Sequence, residues 1–156
     1  MHEGDVVPDV ELADQTGAVR SLSSIAAGRR IVLFFYPAAM TPGCTKESCH
    51  FRDLGTDFEA AGAARVGISM DTVDKQARFA DANSLDYTLL SDHDGTVAKA
   101  FGVKRPISIL KVRRKTFVLD EDRRVLGVIG SEFNTDAHAD KALEILAATP
   151  RRTTSG

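Results

Sequence analysis

The sequence predicts an α/β domain built on a mixed β-sheet. Two observations carry this prediction: strand-like and helix-like segments alternate along most of the chain, and two strand-like segments near the C-terminus follow each other directly, as in an antiparallel pair. The length of 156 residues fits one domain. We expect residues 1–150 to form that domain and the polar residues 151–156 to form a flexible tail.

The first half of the chain predicts a β-hairpin, then a strand and a helix. Apolar residues alternate with polar ones on both sides of the turn residues 14–17, which is typical of a hairpin. Residues 31–36 are apolar and stop at Pro37, as expected for a strand buried on both faces. Apolar residues at helical spacing predict one helix over residues 45–62, ended by Gly62.

The second half continues the alternation and ends in a strand pair and a helix. The patterns predict a strand over 65–70, a helix over 71–83, a short strand at 89–90, a short helix ending near 102, strands over 115–120 and 124–129, and a last helix with an apolar stripe at 139, 142, 143 and 146. This order predicts a mixed sheet flanked by helices.

Composition excludes several classes of protein. With 43% hydrophobic and 27% charged residues the chain has the balance of a folded globular domain, and its net charge of −2 provides no basic field for nucleic acid. The longest strictly apolar run, residues 31–35, is too short to cross a membrane. The first 30 residues lack the apolar segment of a signal peptide, so we expect a cytoplasmic protein.

Cys44 and Cys49 are the only cysteines, too few for a disulfide-stapled scaffold or a four-cysteine zinc site. Thr41 is suited to cap the predicted helix and Pro42 to occupy its first position, which places Cys44 in the first turn. There the free backbone N–H groups and the helix dipole favour a nucleophilic thiolate. The same pattern also fits an inert buried cysteine beside ordinary capping residues, so the residues alone leave both interpretations open.

The segment around these cysteines resembles the active-site segment of the peroxiredoxins. Pro37-x-x-x-Thr41-x-x-Cys44 matches the pattern of that family, and the string TPGCTKESCHFRD at residues 41–53 is similar to the Q subtype, also called bacterioferritin comigratory proteins. Further landmarks of the family occur in order over residues 3–148: Gly4-Asp5, Pro8-Asp9, Gly67-Ile68-Ser69, Leu90-Ser91-Asp92 and Phe101-Gly102-Val103. The resemblance implies a thioredoxin-like fold with a mixed central sheet and an N-terminal hairpin.

The resemblance also implies roles for individual residues. Cys44 falls at the peroxidatic position, whose thiolate attacks the O–O bond of a peroxide and becomes a sulfenic acid. Thr41 falls at the position whose hydroxyl orients the peroxide, and Pro37 at the position that shields the pocket from water. Cys49 falls at the resolving position of the Q subtype, where a thiol closes an intramolecular disulfide with the peroxidatic cysteine.

An arginine from a later strand completes the family's site. Arg114 matches it within Arg-Lys-Thr-Phe, although a register error of one residue would transfer the role to Arg113. Strand alternation places Arg114, Thr116 and Val118 on one face and Arg113 on the other, which favours Arg114.

The resemblance implies peroxide substrates, recycling by thioredoxin or a similar dithiol reductant, and no cofactor or metal. Because the proposed disulfide lies within one chain, we expect a monomer. A redox-sensing interaction protein that uses the same disulfide without turnover, and a structural module with inert cysteines, are the alternatives from other functional classes.

Other polar residues receive ordinary interpretations. Glu47 and Arg52 are expected to form an ion pair along the helix, with support for the cysteine as the less favoured alternative, and His93 and His138 are expected to lie on the surface. His50 lacks the spaced Cys/His partners of a metal site. The basic run at residues 111–115 is interpreted as a solvated strand end that contains one catalytic arginine rather than a phosphate-binding patch.

Overall fold

A seven-stranded mixed sheet organises the chain. The structure, a computed structural model, describes residues 1–105, 112–131 and 134–150; the predicted tail and Lys111 of the basic run lie outside these residues. In chain order the elements are β1 Glu11–Asp14, β2 Val19–Ser21, α1 Leu22–Ala26, β3 Arg30–Phe35, α2 Pro42–Asp53, α3 Gly55–Ala60, β4 Ala63–Ser69, α4 Val73–Asn83, β5 Thr88–Ser91, α5 Thr96–Ala100, β6 Lys115–Leu119, β7 Val125–Gly130 and α6 Asp136–Ala148.

The strands lie in the order β2-β1-β5-β4-β3-β6-β7. β3, β4 and β5 are parallel neighbours, while β6 runs antiparallel to both β3 and β7. β1 pairs antiparallel with β2 and with β5, so the N-terminal hairpin extends the sheet at one edge. The predicted α/β class, mixed sheet and hairpin are therefore confirmed.

Both faces of β3 are covered, because its alternate side chains enter two different hydrophobic clusters. Leu33 and Phe35 pack in the cluster that contains residues of α1 and α5. Val32 and Phe34 pack in the cluster that contains residues of α2, α3, α4 and α6. No helix among the described residues is long and apolar enough to cross a membrane.

The single helix predicted over residues 45–62 is wrong, because the chain breaks into α2 and α3 at Leu54. In a continuous helix the carbonyl of Phe51 would accept the N–H of Gly55. Instead Arg65 Nη1 of β4 donates to that carbonyl at 3.0 Å. A Cβ on Gly55 would meet the same guanidinium at 3.1 Å, so the glycine allows the arginine to lie in the break.

The short helix α1 was not predicted. Its five residues span less than two turns, so no hydrophobic period is visible in the sequence. Ser21 caps it by accepting the N–H of Ser24, and its buried residues Leu22 and Ile25 pack beneath the sheet.

Candidate active site

The candidate site lies where β3 leads into α2, at the carboxyl end of a parallel strand, a common location for sites in α/β folds. Cys44 is the third residue of α2 and is 1% exposed. Pro42 occupies the first position and Thr41 the N-cap, as predicted. The N–H groups of Gly43 and Cys44 precede the first intrahelical bond, which Thr45 donates to the Thr41 carbonyl at 2.9 Å.

The Thr41 hydroxyl does not cap the helix, although the residue holds the N-cap position. Thr41 Oγ1 instead donates to the carbonyl of Ala38 at 2.7 Å, within the loop that joins β3 to α2. The hydroxyl thus lies one helical turn before Cys44 and closes this loop on itself.

Asp71 anchors the same loop from the end of β4. Its Oδ2 accepts the backbone N–H of Ala39 at 2.7 Å and the hydroxyl of Ser69 at 2.6 Å. Pro37 is buried in this loop, whereas Met40 is exposed and has a positive φ of 69°. Thr72, the next residue, caps α4, because its hydroxyl accepts the N–H of Lys75. The contacts of Asp71 with the loop were not predicted from the sequence.

Arg114 lies immediately before β6, the strand next to β3, and its side chain reaches Cys44. Its Nη2 donates to Cys44 Sγ at 3.4 Å and its Nη1 to Glu47 Oε1 at 3.0 Å. Arg113 is exposed on the other side, which confirms the predicted arrangement of the two faces. A Cβ on Gly43 would lie 3.3 Å from Arg114 Nη2, so the glycine permits this close approach.

The environment of Arg114 keeps it charged. Burial lowers the pKa of Arg114, but the negative charges of Glu47 and of the Cys44 thiolate, with the hydrogen bonds to both, raise the pKa above its usual value. A permanent cation therefore lies 3.4 Å from the Cys44 sulfur.

The expected helical ion pair between Glu47 and Arg52 is wrong. Glu47 is completely buried and pairs with Arg114, because the side chain faces β6 rather than the outer surface of α2. Arg52 pairs with its neighbour Asp53 at 2.9 Å and donates to the carbonyl of Asn83 at 2.6 Å.

The expected surface position of His138 is also wrong. His138 is completely buried on the side of α6 that faces the sheet, where its Nδ1 lies 2.7 Å from Thr116 Oγ1 of β6. The sequence contains one signal that could have found it: His138 precedes Ala142 and Leu146 by four and eight residues, the spacing of a buried helical stripe.

Cys49 lies on α2 with Cys44, and both thiols are free. It is half-buried, and Asn83 of α4 covers it with Oδ1 at 3.7 Å from the sulfur. The structure therefore brings Cys44 and Arg114 into contact, places Thr41 at the N-cap of the same helix, and puts Cys49 beside Asn83 of α4.

This arrangement suits attack by a sulfur nucleophile on a polar bond. A thiolate at Cys44 would have the positive end of α2 and the Arg114 guanidinium beside it. The same donors can hydrogen-bond an oxygen atom that gains negative charge next to the sulfur.

Comparisons with known proteins agree with this geometry. The sequence profile of the AhpC/TSA family matches residues 4–128. Peroxiredoxin Q from the chloroplast of Sedum lineare is 40% identical over 144 residues, which cover 92% of this chain and 77% of that protein. The crystal structure of peroxidoxin BcpB from Mycobacterium tuberculosis is 59% identical, with a TM-score of 0.92, and the match covers 96% of this chain and 99% of that one.

The bacterioferritin comigratory protein of Xanthomonas campestris is 29% identical, with a TM-score of 0.84 over 95% of this chain and 98% of that one. These similarities confirm the predicted thioredoxin-like fold of a peroxiredoxin. The chain therefore belongs to the AhpC/TSA family and is a peroxidase enzyme of the peroxiredoxin Q type.

Proposed function

We propose that Cys44 is the peroxidatic cysteine of a thiol peroxidase that reduces hydrogen peroxide and organic hydroperoxides. The observation that carries the proposal is the Arg114 guanidinium 3.4 Å from the Cys44 sulfur at the N-terminus of α2. The Xanthomonas campestris relative is described by its alkyl peroxide reduction activity, which supports organic hydroperoxides as substrates here.

In the first step the Cys44 thiolate attacks one oxygen of the peroxide and the O–O bond breaks. The sulfur keeps that oxygen as a sulfenic acid, and the other oxygen leaves as water or an alcohol after it takes up a proton. Arg114 and the N–H groups at the start of α2 stabilise the negative charge on the leaving oxygen. Thr41 orients the peroxide, and the buried Pro37 limits the access of water.

In the second step the Cys49 thiolate attacks the sulfenic sulfur, and a disulfide forms as the hydroxyl leaves as water. Both cysteines lie in one helix, which supports closure within one chain and a monomeric enzyme. A thioredoxin-type dithiol then reduces the disulfide by thiol exchange and restores both thiols. Such a reductant operates in a reducing compartment, which favours the cytoplasm.

Peroxide consumption with thioredoxin and thioredoxin reductase tests the proposal. The wild-type chain should consume many equivalents of peroxide, and Cys44→Ser none above background, because a hydroxyl is not ionised at neutral pH and is a far weaker nucleophile. Turnover retained in Cys44→Ser would refute the assignment. Wild-type consumption that stops after one equivalent would instead indicate a redox switch without catalysis.

A further inference from the structure

A buried histidine outside the proposed chemical steps lies directly behind the site. The ring of His138 of α6 meets residues from three other parts of the fold. These are Thr116 of β6, the carbonyl of Ser131 at the end of β7, and Glu47 of α2. A histidine with every side covered by protein has a fixed orientation.

The neighbours of His138 determine where its hydrogen lies. Nε2 is 2.7 Å from the Ser131 carbonyl oxygen, and a carbonyl only accepts hydrogen bonds, so Nε2 carries a hydrogen. The same Nε2 lies 3.7 Å from Glu47 Oε2. The Nε2 hydrogen points to the Ser131 carbonyl, so Nε2 acts on Glu47 Oε2 by electrostatic attraction across 3.7 Å rather than by a hydrogen bond.

The other carboxylate oxygen of Glu47, Oε1, is connected to the Cys44 sulfur through Arg114. Glu47 Oε1 accepts Arg114 Nη1 at 3.0 Å, and Arg114 Nη2 lies 3.4 Å from Cys44 Sγ. The carboxylate thus lies between Arg114, which donates to Oε1, and the His138 ring, which lies 3.7 Å from Oε2. A rotation of this carboxylate would shift the guanidinium, and small displacements of charged groups at a reacting atom reduce rates strongly.

We propose that His138 is a positioning residue for the peroxide step, an inference that rests on the proposed function of Cys44. The positively polarised Nε2 edge of its ring holds Glu47 in place by electrostatic attraction, and Glu47 aligns Arg114 on the cysteine. The contact also ties α2 to α6 at a residue between Cys44 and Cys49, a segment that must rearrange before the two sulfurs can bond. His138 therefore favours the reaction with peroxide and opposes closure of the disulfide.

Two amide variants separate positioning from folding. The amide nitrogen of glutamine in His138→Gln reaches the position of Nε2, whereas that of His138→Asn reaches only the position of Nδ1. We expect His138→Asn to slow the reaction of Cys44 with peroxide about tenfold and His138→Gln to retain most of the rate. The closure step should be faster in His138→Asn and unchanged in His138→Gln. Stopped-flow measurements of the two steps and thermal melts of each variant provide the readout.

Asp136→Asn is the matched control. Asp136 also lies on α6 and faces α2, but its pair with Lys46 is 3.9 Å long and exposed, so its loss should leave both steps unchanged. A folded His138→Asn variant that reacts with peroxide at the wild-type rate would overturn the proposal. So would equal slowing in His138→Gln and His138→Asn.

A measurement on the wild-type protein applies even where His138→Asn fails to fold. Nitrogen-15 NMR of His138 should show a hydrogen on Nε2, and a ring protonated on Nδ1 alone would overturn the proposal. The two failures are distinguishable: an active Cys44→Ser variant refutes the proposed function, whereas an inactive one together with normal His138 variants refutes only the role of His138.

Discussion

Arg114 pairs with two negative groups through one planar side chain, so this residue is central to the chemistry of the site. One end of the guanidinium meets Glu47 and the other meets the Cys44 sulfur. A lysine could provide the charge but not this two-ended geometry, because its ammonium is a single point charge on a flexible chain. The arginine thus contributes both charge and direction.

Replacing Arg114 by alanine should slow the peroxide step about a hundredfold, since the leaving oxygen and the thiolate lose their nearest cation. Arg114→Lys should fall between that variant and the wild type. Rapid-mixing measurements of Cys44 oxidation check both values. Arg113→Ala is the control, because Arg113 is exposed and should have no effect; exchanged behaviour of the two alanine variants would disprove the assignment.

The positions of single residues could be predicted from the sequence where neighbouring residues form a local pattern. Thr41, Pro42 and Cys44 follow each other in one turn, and strand alternation was enough to separate Arg114 from Arg113. Glu47 was misassigned because its partner Arg114 lies 67 residues away, and no local spacing reveals such a contact.

The helix α2 carries both cysteines and cannot bring them together while it remains intact. Residues five apart in an α-helix have Cα atoms roughly 8.6 Å apart, whereas a disulfide tolerates roughly 4.4–6.8 Å. Tyr87 also holds the middle of α2, because its hydroxyl donates to the Ser48 carbonyl at 2.7 Å. Burial raises the pKa of Tyr87, so this donor stays protonated.

Formation of the disulfide should therefore unwind part of α2. The reduced chain has a continuous helix from Pro42 to Asp53, as the sequence predicted for its cysteine segment. After oxidation, amide hydrogen exchange over residues 44–53 should become faster, because helical hydrogen bonds are lost.

Cys49→Ser supplies the control for this exchange experiment, since it cannot close the disulfide and should keep the protection of α2 after one equivalent of peroxide. At high peroxide it should progress to sulfinic acid at Cys44. A wild-type protein with Cys44 bonded to Cys49 and a fully protected α2 would show that unwinding is not required.

The hydrophobic clusters on the two faces of the sheet stabilise the whole molecule. The helix α2, which carries both cysteines, packs in one of these clusters. Phe51 of α2 stacks on Phe34 of β3 with ring centroids 4.1 Å apart, and on Phe58 of α3 at 5.6 Å. This cluster fixes the end of α2 that follows the cysteines, so the start of the helix can open while its end stays packed.

Phe51→Ala should lower the free energy of unfolding by about 3–5 kcal/mol, because a fully buried aromatic ring is replaced by a cavity. Urea denaturation followed by circular dichroism measures the change. Val19→Ala is the comparison: Val19 is 70% exposed, and its truncation should change the unfolding free energy little. Similar losses in both variants would mean that the core has been wrongly located.

Most of the element order and the mixed sheet were predictable because each depends on a hydrophobic period or on adjacent strands, whereas the five residues of α1 show no such period. The break at Leu54 was not, since it depends on Arg65, which comes from the next strand and takes the carbonyl of Phe51. The burial of His138 likewise follows from the packing of α6 on β6 and α2. The local sequence does not reveal the tertiary contacts of single polar residues.

The central claim is that peroxide oxidises Cys44 and that Cys49 of the same chain resolves it. Mass spectrometry of the wild-type protein after one equivalent of peroxide tests this claim most directly. The account predicts that the protein stays monomeric and loses the mass of two hydrogens, and that one peptide contains Cys44 bonded to Cys49. Two thiols that both remain open to alkylation, or a disulfide that joins two chains, would contradict it.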